Sequence, residues 1–312
     1  MGQWQAVARA TLLVATVAVP AGVAVLIAGG SAGGAVLMGT VLTLAGAMAS
    51  GVPAARRAVV AMTFGAGLGA MSTGSWAWVL VVTVMAVIAG LEADRQAMPA
   101  FTLAAIMAVM APAATTVLEV GIFALGAWLG ALYGLAIARR LDPTPSIPDT
   151  VMGPAMAATV LGLGVASTAA IAVVMQEPRA TWIPLTVLVV VGTAPRGYAG
   201  RTRDRVTGTV AGVAIALVLV ALHPPSWLVT MLGLAAVIGS LAAAAGPYWL
   251  QVTWITLAVV LTAGPVDRVV DTATSRLGFT AAAGAVLAMG LVVARRLLPR
   301  LPDPSTTDAA SP

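Results

Sequence analysis

Apolar residues run along this chain in long blocks separated by short polar or proline-bearing breaks. Twelve blocks have helical length: 5–28, 34–50, 57–73, 75–91, 97–111, 116–138, 152–175, 181–195, 205–222, 226–244, 248–264 and 273–295. A membrane β-barrel would instead alternate apolar and polar residues over strands of about ten. The pattern predicts an all-α polytopic membrane protein with about 12 transmembrane helices. A straight crossing takes about 20 residues. The second, fifth, eighth and eleventh blocks have 17 or fewer. Pro99, Pro112, Pro184, Pro247 and Pro265 bracket or interrupt them. Short proline-marked segments in matching positions point to broken helices around a binding site, although proline at a helix end is also ordinary punctuation.

Arginine placement supports an even number of crossings. With both termini cytoplasmic, 13 of the 16 arginines fall inside: Arg9, Arg56, Arg57, Arg95, Arg139, Arg140, Arg196, Arg201, Arg203, Arg205, Arg295, Arg296 and Arg300. Arg179, Arg268 and Arg276 remain outside. Such a bias is what the positive-inside rule requires. The two halves also resemble each other. ALYGLAIARRL, ending at Leu141, matches VLAMGLVVARRL, ending at Leu297, with Phe123 over Phe279 and Gly134 over Gly290. GTVLTLAGAMASG matches LTVLVVVGTAPRG, with Thr40 over Thr186 and Gly46 over Gly192. This predicts a first six-helix repeat over 1–141, degenerate relative to the second, then a Pro-rich linker over 142–150. A second repeat follows over 151–298, then a disordered cytoplasmic tail over 299–312. Six is even, so the repeats are parallel and related by an axis along the membrane normal.

Composition narrows the chemistry. With 60% hydrophobic and 9% charged residues, the chain has too little polar surface for a soluble globule. It has no cysteine, one histidine (His223) and no lysine. Thiol chemistry, histidine metal clusters, Ser-His-Asp triads and lysine-bearing phosphate loops are therefore excluded, and neither an enzyme nor a cofactor is expected. The net charge of +5 does not indicate nucleic acid, because the arginines lie beside apolar blocks, where they serve topology and lipid headgroups. Arg9 stands inside the first block without a convincing cleavage site after it, which reads as an uncleaved first span.

One segment carries a family likeness. TWIPLTVLVVVGTAP runs into RGYAGRTRDR, read as an arginine-rich loop between spans, and then into VTGTVAGVAIALVLVA. At Trp182, Thr186, Pro195 and RVTGTVAG (205–212) the chain resembles the fusaric acid resistance or aromatic acid exporter family and, more distantly, the aluminium-activated malate channels. The likeness covers residues 155–296. It implies a six-helix membrane unit working as a pair, here fused in one chain, and export or conduction of organic anions, often aromatic carboxylates. Larger relatives carry a cytoplasmic domain absent here, and the first half has ARRAVVAMTFGAG where the second has RDRVTGTVAG.

The candidate site residues each carry a plain reading beside the functional one. Arg205, and Arg57 in the first repeat, stand at inner span ends, where arginine snorkels to headgroups or grips a carboxylate with its planar fork. Trp182 and Thr186, one turn apart, form an interfacial anchor or a stacking platform with an orienting hydroxyl. Trp76 and Trp227 read as anchors. Arg276 and Glu119 lie near outer helix starts, where a surface position is favoured. Facing inward, Arg276 would be an outer anion site and Glu119 a proton-coupling carboxylate. Gly208 and Gly212, and Gly126, Gly130 and Gly134, form GxxxG-type packing stripes.

The reading is a multi-pass exporter of small organic anions in the plasma (inner) membrane, driven by a proton gradient or the membrane potential. Its partners are the anion and the lipid bilayer, without nucleic acid, and a homo-oligomer is compatible with this. A passive organic-anion channel, a major-facilitator-type transporter and a non-transporting scaffold subunit are the alternatives.

Overall fold

A computed structural model describes residues 3–141, 143, 153–192, 198–243, 246–262 and 269–297. The tail from 299 and the Pro-rich linker, except Pro143, lie outside the described residues. So do Pro195, Arg196, Pro265, Arg268 and Arg300, and the side chains of Arg9, Trp227, Arg295 and Arg296.

The described residues form twelve α-helices and no strand. These are α1 (Gln3–Ala28), α2 (Gly30–Ser50), α3 (Val52–Ser72), α4 (Trp76–Leu91), α5 (Met98–Met110) and α6 (Val117–Leu141), then α7 (Pro154–Met175), α8 (Trp182–Val187), α9 (Tyr198–Ala221), α10 (Ser226–Ala242), α11 (Tyr248–Thr262) and α12 (Val269–Leu297). Glycine sets the first breaks. Gly29, Gly51 and Gly74 adopt φ of 86°, 84° and 79° between successive helices, a region costly for residues with a Cβ. Pro53, Pro99 and Pro154 stand in the first helical turns, where a missing N–H is harmless.

Among the described residues, four helices are long and apolar enough to cross a membrane: α2, α6, α7 and Gly200–Ala221 of α9. Two boundary expectations are corrected. The second helix is not short, because Gly30–Gly33 join it and bring it to 21 residues. The segment GRTRDR is not loop: α9 begins at Tyr198 and carries Arg201, Arg203 and Arg205 in its first turns. Arginine is a good helix former and no proline intervenes, so the helix runs past the edge of its apolar block. α5, at 13 residues, is as short as its block suggested.

The chain divides into two compact units, Val17–Tyr198 with Val286–Pro312, and Met1–Thr16 with Ala199–Ala285. In the larger unit α5 is the centre. Almost every residue from Met98 to Val109 is buried, and α5 packs against α2, α3 and α4. The buried Trp78 of α4 donates its Nε1–H to the Ala108 carbonyl at 3.3 Å, while Trp76 is exposed. α7 lies along α4, where Gly90 meets the Ala158 backbone.

Glycine also governs the seam between α2 and α6. Gly126 faces Ala32 and Ala35, Gly130 faces the Val36 carbonyl, and Gly134 faces Thr40, so the two helices run parallel with backbones nearly touching. From the other side Gly39 meets Ala127 and Ala131. In lipid this close contact supplies the dispersion that apolar burial cannot. Around the helices large apolar side chains point outward, among them Phe64, Leu80, Leu118 and Leu163, a surface suited to hydrocarbon.

A methyl group at Gly130 would strike the Val36 carbonyl oxygen, whereas Gly121 in the same helix has open space. Gly130→Ala is expected to destabilise the purified protein by about 1–3 kcal/mol, the usual range for overpacking. Gly121→Ala should leave it unchanged. Thermal unfolding in detergent checks both, and equal melting temperatures for the two variants would contradict the seam.

Candidate functional site

In the unit built from Ala199–Ala285, α9 presents Arg201, Arg205, Gly208 and Gly212 at helical spacings of three and four, which places them along one stripe. The two glycines set how closely α11 approaches. Gly208 meets the Trp249 carbonyl and Val252, and Gly212 lies against the Thr253 carbonyl and Thr256. Contacts advance along both helices together, so α9 and α11 are parallel here. α12 passes α9 at Gly284, beside Thr202 and Val206.

That parallel seam carries the arginines of α9 to the first turn of α11. Arg205 Nη1 donates to the Tyr248 hydroxyl at 3.3 Å. The Arg201 guanidinium lies 4.1 Å from the centre of the Tyr248 ring, in cation–π contact. Both arginines keep a buried Nε without a hydrogen-bond partner, and neither has a carboxylate partner among the described residues. Arg203 differs, being exposed and paired with Asp204 at 3.7 Å.

Arg276 belongs to the same unit and departs from the expected surface position: only 6% of it is exposed. It stands two turns into α12, and its Nε donates to Thr256 Oγ1 at 3.4 Å. The sequence placed it near an outer helix start. The helix instead begins at Val269, upstream of the apolar block that suggested 273, and so draws Arg276 inside. Thr209, Thr253, Thr256, Thr272 and Thr280 are also buried in this unit. The apolar core, from Val213 and Ala216 through Val229, Leu257 and Val260, fills the remainder.

Other sequence candidates lie in the larger unit. Arg57 Nη1 pairs with Glu92 Oε2 at 3.3 Å, and Arg95 Nη1 holds the other oxygen at 2.7 Å. Thr186 is buried and donates to the Trp182 carbonyl at 2.8 Å, and the Trp182 side chain is half-buried. Beyond Thr186 the helix widens into a π-turn over Leu188–Gly192, and Gly192 packs on Thr102 of α5, whose hydroxyl lies 3.3 Å from the Gly192 carbonyl.

Glu119 is exposed in the first turn of α6. Its carboxylate accepts from the Thr115 N–H at 2.7 Å, the Thr115 hydroxyl at 3.0 Å and the Thr116 N–H at 3.3 Å. The Glu119 N–H in turn donates to the Thr116 hydroxyl at 3.2 Å. Thr116-x-x-Glu119 is therefore a capping box, a spacing visible in the sequence but overlooked there. Tyr248 was also overlooked. Its place at the start of the eleventh block was the available signal.

The geometry can hold an anion. Two guanidinium groups converge on one phenol, with donors free at each Nε, and a third, on Arg276, is buried and donates to the Thr256 hydroxyl. A carboxylate suits such planar forks. No curated protein and no solved structure matches the chain. Residues 165–290 match the profile of the family described as fusaric acid resistance protein-like, a match that points to a membrane transporter or exporter. Over this stretch, which holds Trp182, Thr186, the Arg205–Gly212 motif, Tyr248 and Arg276, the chain is similar to the fusaric acid resistance protein-like family, as its motif implied.

Proposed function

We propose that this chain exports small organic anions, aromatic carboxylates foremost, across the plasma (inner) membrane. The observation that carries this reading is Arg205: half-buried, bonded to a tyrosine hydroxyl and without a carboxylate partner among the described residues. An incoming carboxylate replaces the neutral phenol with a charged acceptor, and a charge-assisted bond is about twice as strong as a neutral one. Arg201, held on the Tyr248 ring, adds a second positive charge at the same place.

The first half supplies the contrast. Arg57, aligned with Arg205 in the repeat, is neutralised by Glu92. The second-half segment that follows α10 has alanines where Glu92 follows α4. We infer that anion handling is concentrated in the second repeat and that Arg57 fastens the first. Two parallel six-helix repeats are supported by like seams: Gly65 and Gly69 of α3 face Ala104 and Ala108 of α5 as Gly208 and Gly212 of α9 face α11. Both termini are cytoplasmic in this arrangement. An inside-negative potential then drives an anion outward with about 2.3 kcal/mol per charge per 100 mV.

Potential-driven benzoate flux in proteoliposomes tests the reading. Arg205→Ala should raise KM about 10- to 100-fold, the range of a lost hydrogen bond to a charged group. Arg57→Ala should hold KM within about twofold and lower the melting temperature, as loss of an ion pair does. Absence of benzoate flux in the unaltered protein, or equal effects of the two substitutions on KM, would contradict it.

Glu119 is assigned to capping α6 rather than to proton coupling. Glu119→Gln should leave the pH dependence of flux unchanged and lower thermal stability. Flux that loses its pH dependence in this variant would restore the coupling role.

A further inference from the structure

Tyr248 is held in two ways at once, and the two holds differ in chemistry. Its ring lies under the Arg201 guanidinium, with 4.1 Å to the ring centre, and its hydroxyl accepts from Arg205 Nη1 at 3.3 Å. A ring on one arginine and an oxygen on the next is the outline of an aryl carboxylate. The phenol fills that outline incompletely. It reaches a single nitrogen of Arg205, and Nε of both arginines stays buried without a hydrogen-bond partner. A buried donor left unmade is costly. A carboxylate brings a full charge and two oxygens with about four acceptor positions, enough to engage a guanidinium through two parallel bonds.

Tyr248 is also placed to leave. It is the first residue of α11, it follows the exposed Gly246 and Pro247, and it is itself only half-buried. Inside a helix the χ1 well near +60° is closed by the preceding turn. At the first position there is no preceding turn, so that well is open to the ring. The backbone beside it is fixed, because the Trp249 carbonyl and Val252 sit against Gly208 of α9. The side chain therefore moves without the helix. In the first half α5, the counterpart of α11 by helix order, opens on Met98, which has neither ring nor hydroxyl, and Arg57 is met by Glu92. An arginine with a permanent carboxylate needs no removable one.

We propose that Tyr248 is a built-in stand-in for the substrate. Its phenol occupies the anion site of the empty protein, and it is displaced when an aryl carboxylate lays its ring under Arg201 and its carboxylate on Arg205. This rests on the anion-transport reading above and deepens it: Tyr248 sets the affinity of the site, and Arg201 selects for an aromatic ring. Competition from the phenol keeps binding moderate, which suits passage, because an anion must be held well enough to enter and weakly enough to leave.

Equilibrium binding of radiolabelled benzoate to the full-length, detergent-purified protein tests the stand-in without transport. Tyr248→Phe keeps a ring on Arg201 and removes only the competing hydroxyl, so it should bind benzoate about 2- to 10-fold more tightly, the size of one neutral hydrogen bond. Tyr248→Leu removes ring and hydroxyl together and should bind more tightly still. Cyclohexanecarboxylate has the same charge and no aromatic face. It should bind the unaltered protein about two- to fivefold more weakly than benzoate, and Arg201→Gln should erase that preference. Binding that is lost in Arg205→Ala but unchanged or weaker in Tyr248→Phe overturns the stand-in and leaves the transport reading intact. A preference for benzoate that survives in Arg201→Gln overturns the role of Arg201. Tighter binding in Tyr248→Phe, with no flux through the unaltered protein, defeats the transport reading and upholds the stand-in. No benzoate binding by either protein overturns both.

Discussion

Helices in lipid gain nothing from being apolar, because the solvent is apolar too. What holds them together is contact, and contact requires that backbones come close. In this protein glycine supplies that closeness at each seam that matters. Gly208 and Gly212 let α9 lie against the carbonyls of α11. Were these residues larger, the helices would separate by the width of a side chain, and Arg205 would no longer reach Tyr248. The arginine chemistry therefore depends on two positions that carry no chemistry.

The same device recurs with a different outcome. Gly126, Gly130 and Gly134 bind α6 to α2, and Gly65 and Gly69 bind α3 to α5, yet the arginine of that half is closed off by Glu92. A shared packing scheme thus carries two electrostatic states. In one, a carboxylate supplied by the chain neutralises the guanidinium and fastens helix ends. In the other, a phenol orients two guanidinium groups without cancelling their charge. Charge that is oriented but uncancelled is what a binding site for a mobile anion needs.

Much of this was legible in the sequence for physical reasons. Helix type and number follow from block length against bilayer thickness, and the glycine stripes follow from their spacing of four. Arg205 stood out because it belongs to the motif, RVTGTVAG, that carries the family likeness. Arg276 did not, because depth depends on where its helix starts. Asp271, Thr272 and Thr274 interrupt the apolar pattern just after Val269, so the first turns of α12 do not read as part of an apolar block, and α9 likewise begins well before its apolar block does. The partnership of Tyr248 with Arg201 and Arg205 joins residues more than 40 positions apart, and no local pattern records it. Glu119 is different: its surface position was the favoured reading and is the one observed, while the capping spacing with Thr116 was present in the sequence and went unread.

The central claim is that Arg205 takes a carboxylate. Solid-state NMR dipolar recoupling between the carboxyl carbon of labelled benzoate and arginine guanidinium nitrogens, in reconstituted protein, measures that contact directly. The account predicts dephasing that falls in Arg205→Lys and persists in Arg57→Lys. Absence of dephasing at saturating benzoate, or dephasing unaltered in Arg205→Lys, would contradict it.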